Sequence, residues 1–265
     1  MSQRGPLSAL RRVALITRDD EQDYPADLIR ARLSAVGAEL VEGPGQEGVD
    51  MVIALGGDGT VLRALVSYPQ APTLAVNFGR VGFLTQCDRD GLEAVLGRVV
   101  RGEYFVEERL ALEVRHGAQR TRCINEVVWK GIAHISEVSL WVDGYHVHTS
   151  RGDGLIVGTP TGTTAYLMST GAPIVTPGVS CLIANPLNEY NLSSRPLIFP
   201  GDASLEVRVE ECRPNDLFLV IDGGDRRPLL VGERVEIARA ADPTLLVAFE
   251  PSYFFRNLRE RLRWG

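Results

Sequence analysis

A short glycine-rich stretch near residue 56 carries one carboxylate where an apolar run ends. Met51–Leu55 are five apolar residues in a row, and Gly56-Gly57-Asp58-Gly59-Thr60 follows them directly. Such a run predicts a strand covered on both faces, and Val61–Val66 after it predicts a helix. Three glycines let the backbone approach a ligand closely, and the amides at a helix start favour an anion. The stretch is therefore typical of a phosphate-binding turn.

The acid within this turn indicates phosphoryl transfer rather than a Walker A site. No lysine follows the glycines, whereas a Walker A sequence ends in Gly-Lys-Ser/Thr. A carboxylate among amides can accept a proton from a hydroxyl or help to hold a metal, and both roles suit phosphoryl transfer. An ordinary strand-to-helix turn, in which Asp58 only caps the helix, is the alternative at this point.

Composition limits the function classes. The chain has 265 residues, enough for one large or two modest domains. Its net charge of -6 and pI near 5.4 argue against a general binder of nucleic acid or membrane surfaces and favour a small-molecule partner. The four cysteines form no C-x-x-C pair, which predicts reduced thiols. The first residues lack a signal-peptide pattern, so we expect a cytoplasmic location.

The first hundred residues predict an α/β domain. Further strands are predicted at Val13–Thr17, Ala38–Glu42 and Thr73–Asn77, and helices at Tyr24–Val36 and Leu92–Val99. A second glycine-punctuated loop, Phe78–Thr85, leaves the end of the strand Thr73–Asn77. Ligands bind at the carboxyl ends of the strands in open α/β sheets, so we expect this loop and the 56–60 turn to face one crevice.

Past about Glu103 the apolar period changes from 3.6 to 2, which predicts a mostly antiparallel second half. Strands are predicted at Leu110–Val114, Val138–Val142, Tyr145–Thr149, Leu205–Val209, Leu217–Asp222, Leu229–Ile237 and Leu245–Phe249. An amphipathic helix is predicted over Phe254–Leu262. We therefore expect an α/β, Rossmann-like domain at 1–103, a β-sandwich domain at 104–250, and a C-terminal helix at 251–265 that packs back on the first domain.

Two further polar groups occur in the β-rich half. Arg151-Gly152-Asp153-Gly154 leads a strand, and Thr159–Tyr166 then forms a turn with threonines at a helix start, which again favours phosphate. A threonine-capped helix is the alternative there. Asn125-Glu126 interrupts an apolar strand. This pair is either exposed on a sheet edge or binds the vicinal hydroxyls of a ribose.

Taken in order, these motifs resemble the successive signatures of NAD kinases. The matching residues are Gly56-Gly57-Asp58-Gly59-Thr60, Asn77-x-Gly79-x-x-Gly82-Phe83-Leu84, Asn125-Glu126, Asp153-Gly154-Leu155-Ile156 and Thr159-Pro160-Thr161-Gly162-x-Thr164-Ala165-Tyr166. The ending from Tyr253 to Trp264 is also similar, so the resemblance begins at about Val13 and covers nearly the whole chain. The GGDG stretch alone also occurs in diacylglycerol and sphingosine kinases, whereas the Asn-Glu pair together with TPTGxTAY is specific.

The resemblance implies transfer of a phosphoryl group from ATP, or from polyphosphate, to the 2′-hydroxyl of the adenosine ribose of NAD, with Mg²⁺ or another divalent metal. Asp58 would be the general base, and Gly56, Gly57, Gly59 and Thr60 would hold the donor phosphates. The implied NAD-binding residues are Asp58, Gly59, Arg63, Phe78, Asn125, Glu126, Arg151, Asp153, Thr161, Thr164, Ala165, Tyr166, Ser169 and Asn188.

Within this set the resemblance implies distinct roles. Asn125 and Glu126 would hold ribose hydroxyls, Asp153 would meet the nicotinamide end, and Thr164-Ala165-Tyr166 would line the adenine pocket. No protein ligand to the metal is assigned. A homodimer or homotetramer built through the β-rich half is usual in the family.

The chain departs from the family's pattern in three places. Gly171–Thr176 replaces Gly-Gly-Pro-Ile-Val-His, Asn185–Asn191 replaces Pro-Ile-Cys-Pro-His, and Gly224 stands where a glutamine often follows Asp-Gly. These differences concern local substrate contacts and the subunit interface rather than the reaction. Two other functions stay open: a lipid or small-alcohol kinase that shares only the GGDG turn, and a catalytically silent NAD-binding regulator.

Overall fold

The computed structural model describes residues 2–18, 24–43, 45–79 and 82–264. The chain forms two compact units: the first contains the residues up to Arg109 and those from Asp242 onward, and the second is Leu110–Ala241. Strands and helices are numbered along the chain. Arg80 and Val81, which belong to the predicted second glycine loop, lie outside the described residues.

The first unit is built on one eight-stranded sheet with the order β1-β7-β20-β5-β4-β2-β3, in which β6 also pairs with β5. Its strands are β1 (Ser2–Arg4), β2 (Arg12–Thr17), β3 (Glu39–Glu42), β4 (Met51–Leu55), β5 (Thr73–Asn77), β6 (Cys87–Asp88), β7 (Phe105–Arg109) and β20 (Thr244–Ala248). Its helices are α1 (Ala26–Ser34), α2 (Asp58–Ser67), α3 (Leu92–Val100) and α5 (Tyr253–Leu262). Strands β3, β2, β4 and β5 run parallel, whereas β7 runs antiparallel to β20.

The parallel strands form because their sequences are apolar on both faces. Every residue of β4 and of β5 is buried, as expected for strands covered on both sides of a parallel sheet. Ile29 and Leu33 of α1 and Leu96 of α3 pack into the same core as these strands. The predicted α/β class of the N-terminal domain is confirmed.

The second unit is a sandwich of two six-stranded antiparallel sheets. The first sheet has the order β15-β14-β13-β10-β17-β18 and the second β12-β11-β16-β19-β8-β9. The strands are β8 (Leu112–His116), β9 (Gln119–Cys123), β10 (Glu126–Gly131), β11 (Ser136–Val142), β12 (Tyr145–Gly152), β13 (Gly154–Gly158), β14 (Cys181–Leu187), β15 (Leu197–Pro200), β16 (Leu205–Glu211), β17 (Leu217–Ile221), β18 (Asp225–Pro228) and β19 (Arg234–Arg239). A four-residue helix, α4 (Tyr166–Ser169), follows β13.

Alternating apolar residues of both sheets meet in one core. Val127 and Trp129 of β10 share a buried cluster with Leu112 of β8 and Val207 of β16. This inward-facing alternation is the pattern from which a sandwich was predicted, and the predicted β-rich class of the C-terminal domain is confirmed.

Two details differ from the sequence-based expectation. The predicted strand Leu245–Phe249 was assigned to the sandwich, but as β20 it pairs with β7 and β5 in the sheet of the first unit. The compact units are therefore bounded near 109 and 242 rather than near 103 and 250. The predicted strand Leu229–Ile237 is also interrupted: Gly232 adopts a φ of +86° in a turn, and β19 begins only at Arg234.

None of the helices in the described part of the chain combines the length and the apolar character that a membrane crossing requires.

Candidate functional site

The glycine turn follows β4 as the sequence predicts. Strand β4 ends at Leu55, and α2 begins at Asp58 with Gly57 before it. A Cβ atom at position 56 would lie 2.7 Å from Cβ of Thr60, so glycine is required for this tight turn. The amides of Asp58 and Gly59 stand at the start of α2, where helical geometry provides no intrahelical acceptor. These amides are therefore available to an anion.

The Asp58 carboxylate is held by the second glycine loop. Its Oδ2 accepts a hydrogen bond from the Phe83 N–H at 2.9 Å, and its Oδ1 accepts one from the Leu84 N–H at 3.1 Å. A Cβ atom at position 82 would lie 2.8 Å from Cγ of Asp58, so Gly82 lets the loop close on the acid. Because a carboxylate can accept about four hydrogen bonds, lone pairs on both oxygens remain for a substrate. The Asp58 side chain accepts from the loop and not from the first turn of α2, so the alternative in which Asp58 only caps the helix is wrong.

The other predicted residues of the first unit differ in exposure and in the groups that they contact. Thr60 is buried beneath Gly56. Arg63 is exposed, and its guanidinium donates to the Thr17 carbonyl beside a cavity of about 260 Å³. Phe78 is half-buried, with the Arg89 guanidinium 5.3 Å above its ring. Of these side chains, Thr60 packs within the turn, and Arg63 extends from α2 to the last carbonyl of β2.

In the second unit, the Asn125-Glu126 pair lies inside a sheet and not on its edge. Strand β10 begins at Glu126 and is flanked by β13 and β17. Asn125 is 8% exposed and Glu126 is 6% exposed. The edge-exposed alternative is therefore wrong, and the polar pair needs another reason to stand at the start of a buried strand.

Asp222, which sequence reasoning missed, fixes the backbone of this pair. Its Oδ1 accepts from the N–H of Asn125 at 2.7 Å and from that of Glu126 at 3.2 Å, and its Oδ2 accepts from the N–H of Ile124 at 2.8 Å. The Cys123 thiol also donates to Oδ1 at 3.3 Å. Asp222 has a φ of +48°, a conformation that Asp tolerates. This carboxylate replaces the main-chain partners that the residues before β10 lack.

Glu126 carries an unpaired buried oxygen. Its Oε2 is buried and has no hydrogen-bond partner among the described residues. Burial, followed by the nearby Asp222 carboxylate, raises the pKa of Glu126 to about 8, although the Tyr166 backbone N–H donates to Glu126 and opposes that shift. A buried polar atom without a partner is costly, which is consistent with a ligand hydroxyl as its missing partner.

The raised pKa of Glu126 leads to a prediction about stability and pH. The folded-state pKa of about 8 exceeds the ordinary value of 4.5, so the unfolded chain loses this proton first and the wild-type protein loses stability between these two pH values. Glu126→Gln stays neutral throughout. We expect the ligand-free variant to match the wild-type melting temperature below pH 4.5 and to exceed it above pH 8. Thermal melts across this range measure the difference.

The matched control is Glu211→Gln, which removes an exposed carboxylate from the same unit. This substitution is expected to give the same difference from wild type at every pH. A Glu126→Gln protein that also shows no pH-dependent gain would contradict the assignment of a proton to Glu126 in the ligand-free state.

The threonine-rich turn is more compact than expected. Residues Thr161–Thr164 form a buried 3₁₀ turn ahead of α4. The Thr163 hydroxyl donates to the Pro160 carbonyl at 2.6 Å, and the Thr164 hydroxyl donates to the Thr161 carbonyl at 3.1 Å. Both hydroxyls therefore stabilise the turn itself, whereas the sequence-based expectation was that these threonines favour phosphate at a helix start.

Glycine at position 162 brings this turn against the polar pair. A Cβ atom there would lie 2.6 Å from the carbonyl carbon of Asn125. The Asn125 carbonyl also accepts from the Thr159 N–H at 2.9 Å. The Thr159–Tyr166 turn and the Asn125-Glu126 pair, predicted separately, are thus one site.

Among the other predicted residues of the second unit, Asp153 and Asn188 contact each other. The Asn188 Nδ2 donates to Asp153 Oδ2 at 2.7 Å, so these two predicted residues are brought together. The Arg151 carbonyl accepts from the Tyr190 N–H at 2.9 Å, while the Arg151 side chain is exposed. Ser169 is also exposed, at the end of α4.

Lys130 was not predicted, yet it lies beside a predicted residue. Its Nζ donates to the Tyr166 hydroxyl at 2.6 Å and lies 5.0 Å from the centre of the Tyr166 ring. Lys130 is on β10, four residues after Glu126, so its side chain is on the same face of the strand. The spacing could have indicated Lys130 from the sequence, because a residue four positions after Glu126 in a strand lies on the same face.

Comparison with known proteins identifies relatives over both units. The family model described as the ATP-NAD kinase N-terminal domain matches residues 38–104. The model described as the ATP-NAD kinase C-terminal domain matches residues 124–249. An NAD kinase of Gemmatimonas aurantiaca is 39% identical over 227 residues, which cover 82% of this chain and 78% of the relative. An NAD kinase of Methanopyrus kandleri is 36% identical over 221 residues, which cover 82% of this chain and 79% of the relative.

Solved structures show the same architecture. The crystal structure of an NAD kinase from Archaeoglobus fulgidus in complex with ATP superimposes with a TM-score of 0.82 at 28% identity and covers 95% of this chain and 98% of that one. The yeast NADH kinase complexed with NADH superimposes with a TM-score of 0.87, covering 97% of this chain and 89% of that one. At 21% identity, the yeast enzyme establishes the fold alone.

Proposed function

Because this chain belongs to the ATP-NAD kinase family, we propose that it transfers the γ-phosphoryl group of ATP to the 2′-hydroxyl of the adenosine ribose of NAD, giving NADP and ADP. The resemblance read from the motifs agrees with this membership. One observation supports the chemical step in particular. The Asp58 carboxylate, at the start of α2, is held by two loop amides and still has lone pairs that can accept a proton.

In this proposal Asp58 is the general base. The ribose oxygen attacks the γ-phosphorus, the bond from phosphorus to the bridging oxygen of ADP breaks, and the hydroxyl proton passes to the carboxylate. The amides of Asp58 and Gly59 hold the donor phosphates at the start of α2, where Gly57 and Gly59 add no side chain. The amides of Gly56 and Thr60, which the resemblance also implied as phosphate contacts, donate instead to the carbonyls of Val76 and Gly57. The buried Thr60 supports the turn from within.

The second unit supplies recognition of NAD. Asn125 and Glu126 hold ribose hydroxyls, and the unpaired Oε2 of Glu126 supports this role. Asp153, bonded to Asn188, meets the nicotinamide end. Thr164, Ala165 and Tyr166 line the adenine pocket. The further NAD-binding residues that the resemblance implies are Arg63, Phe78, Arg151, Thr161 and Ser169. These roles are carried over from the family's motifs and agree with the grouping of residues around Asn125.

A magnesium ion fits the residues that are present. Mg²⁺ is usually held through one or two carboxylates and the phosphates of the substrate rather than by a protein cage. Within the described ranges, no three His, Cys, Asp or Glu side chains are grouped to hold a metal ion. Asp58 is the carboxylate that would hold an ion carried on the triphosphate. When bound, the ion neutralises charge that develops on the phosphoryl oxygens.

Incubation of the protein with NAD, ATP and Mg²⁺ tests the proposal. We expect NADP to form, detected by a coupled NADP-specific dehydrogenase, and no phosphorylation of diacylglycerol under the same conditions. Turnover of diacylglycerol without NAD would favour a lipid kinase. Binding of NAD with no NADP formed would favour a silent regulator. Parallel reactions with polyphosphate and with NADH define the donor and the acceptor.

Two further expectations belong to the proposal. We expect a homodimer or homotetramer assembled through the second unit. Light scattering, which measures the molar mass in solution, distinguishes the two. We also expect the protein to act in the cytoplasm, where its substrates NAD and ATP are found together.

A further inference from the structure

The C-terminal helix α5 contacts the loop that holds Asp58. Asn257 of this helix is 3% exposed, and its Nδ2 donates to the Thr85 carbonyl at 3.0 Å and to the Phe83 carbonyl at 3.5 Å. Both acceptors belong to the loop between β5 and β6. A buried amide that donates to two loop carbonyls restricts the path of that loop, because each carbonyl would otherwise lose its partner.

The same loop segment contacts Asp58 from its other side. The Phe83 N–H donates to Asp58, while the Phe83 carbonyl accepts from Asn257. The Leu84 N–H donates to the second carboxylate oxygen. The peptide group between Phe83 and Leu84 therefore links α5 to the proposed general base. Its carbonyl accepts from Asn257, and its N–H donates to Asp58.

Helix α5 is itself fixed by a buried polar network at its first turn. The Tyr253 hydroxyl donates to Glu107 Oε2 at 2.7 Å, and Arg109 Nε donates to Glu107 Oε1 at 3.2 Å. All three side chains are buried. Tyr253 and Asn257 are four residues apart and so lie on one face of the helix. The face anchored on β7 is therefore also the face that contacts the loop.

Two other side chains of α5 reach the same loop. Arg256 Nη2 donates to the Gln86 carbonyl at 3.4 Å, and the Arg261 guanidinium lies 5.1 Å from the centre of the Phe83 ring. Both arginines are more exposed than Asn257. Water screens and competes with their contacts, so Asn257 is the dominant constraint.

We propose that Asn257 is a positioning residue for Asp58: by fixing residues 83–85 it holds the carboxylate in the orientation needed to accept the ribose proton. This proposal rests on the proposed function, since the orientation of Asp58 affects the rate only if Asp58 takes part in the reaction. A displacement of about 1 Å at a reacting group can cost about 10²-fold in rate. Asn257 acts through one loop, so we expect a loss of about 10-fold.

The test uses Asn257→Asp, which keeps the side-chain size but places acceptors opposite the two loop carbonyls. We expect kcat for NADP formation to fall about 10-fold while KM for NAD changes less than about twofold. Asn257→Gln, which retains a donor on a longer arm, is expected to recover part of kcat. Ile29→Ala removes a fully buried side chain of α1 and serves as the control for a loss of stability without a change of the loop. Its kcat below the melting transition should equal that of the wild type.

A double-mutant cycle with Asp58→Asn decides the matter. If Asn257 acts through Asp58, Asn257→Asp causes little further loss of kcat in the Asp58→Asn background. The same fold-loss in both backgrounds, or an unchanged kcat in the single Asn257→Asp variant, overturns the proposal. Failure of the proposed function gives a different result: the wild-type protein then forms no NADP, or Asp58→Asn retains full turnover.

Discussion

Replacing Asp58 by asparagine is expected to lower kcat for NADP formation by about 10²–10⁴-fold while NAD binding changes little. A ribose hydroxyl is a poor nucleophile, and a carboxylate within hydrogen-bond reach accelerates its attack by accepting the proton. The asparagine amide has nearly the same shape but cannot take that proton. Steady-state kinetics of NADP formation, together with calorimetric titration of NAD, measure the two quantities separately.

The hydrogen bonds of Asp58 require a control for loop movement. Its oxygens accept from Phe83 and Leu84, and asparagine turns an NH₂ group toward one of these donors. Gly82→Ala disturbs the same loop, because its methyl group would lie 2.8 Å from Cγ of Asp58, yet it retains the carboxylate. We expect Asp58→Asn to lose more kcat than Gly82→Ala. An Asp58→Asn protein that retains turnover would exclude Asp58 as the general base, whatever the loss in Gly82→Ala.

The chemistry-bearing motifs could be predicted because each is encoded locally. Five apolar residues before three glycines specify a buried strand and a tight turn, and Gly56 and Gly162 occupy positions where a Cβ would collide with a neighbour. The apolar period is likewise a local property. It changes near Glu103, so the change from parallel to antiparallel architecture could be read from the sequence alone.

The residues that hold the motifs in place could not be predicted, because they are distant in sequence. Asp222 is 97 residues from Asn125, and Asn257 is 172 residues from Thr85. A single aspartate at a strand end, or a single asparagine in an amphipathic helix, is typical of a solvated surface. Only the tertiary pairing of β10 with β17, and the position of α5 in the first unit, turn these side chains inward.

The limits of the two units were missed for a related reason. The five consecutive apolar residues Leu245–Phe249 predict a strand but not the sheet to which the strand belongs. Strand β20 pairs with β7 over five residue pairs, from Thr244 with Arg109 to Ala248 with Phe105, and so returns the chain to the first sheet. In the sequence, the charged residues Glu107 and Arg109 of β7 are typical of an exposed strand face. In the structure, both side chains are buried.

Removing the Glu107 carboxylate is expected to lower the free energy of unfolding by about 3–5 kcal/mol. Glu107 and Arg109 form a buried ion pair whose side chains are 1% and 2% exposed, and Tyr253 contacts both partners. Glu107→Ala leaves the guanidinium buried without its counter-charge. For a chain of this size, such a loss corresponds to a fall in Tm of about 6–20 °C, which calorimetry or circular dichroism can measure.

The cause of this loss can be isolated by removing the charges together. In Glu107→Leu combined with Arg109→Met, no ion is left unpaired in the core, and Tyr253→Phe removes the hydroxyl that would then lack a partner. Replacing a buried ion pair by apolar side chains of similar volume is often neutral in stability. We therefore expect the triple variant to regain most of the Tm lost by Glu107→Ala. A triple variant as unstable as Glu107→Ala would show that packing of β7 against α5, and not an unpaired charge, accounts for the loss.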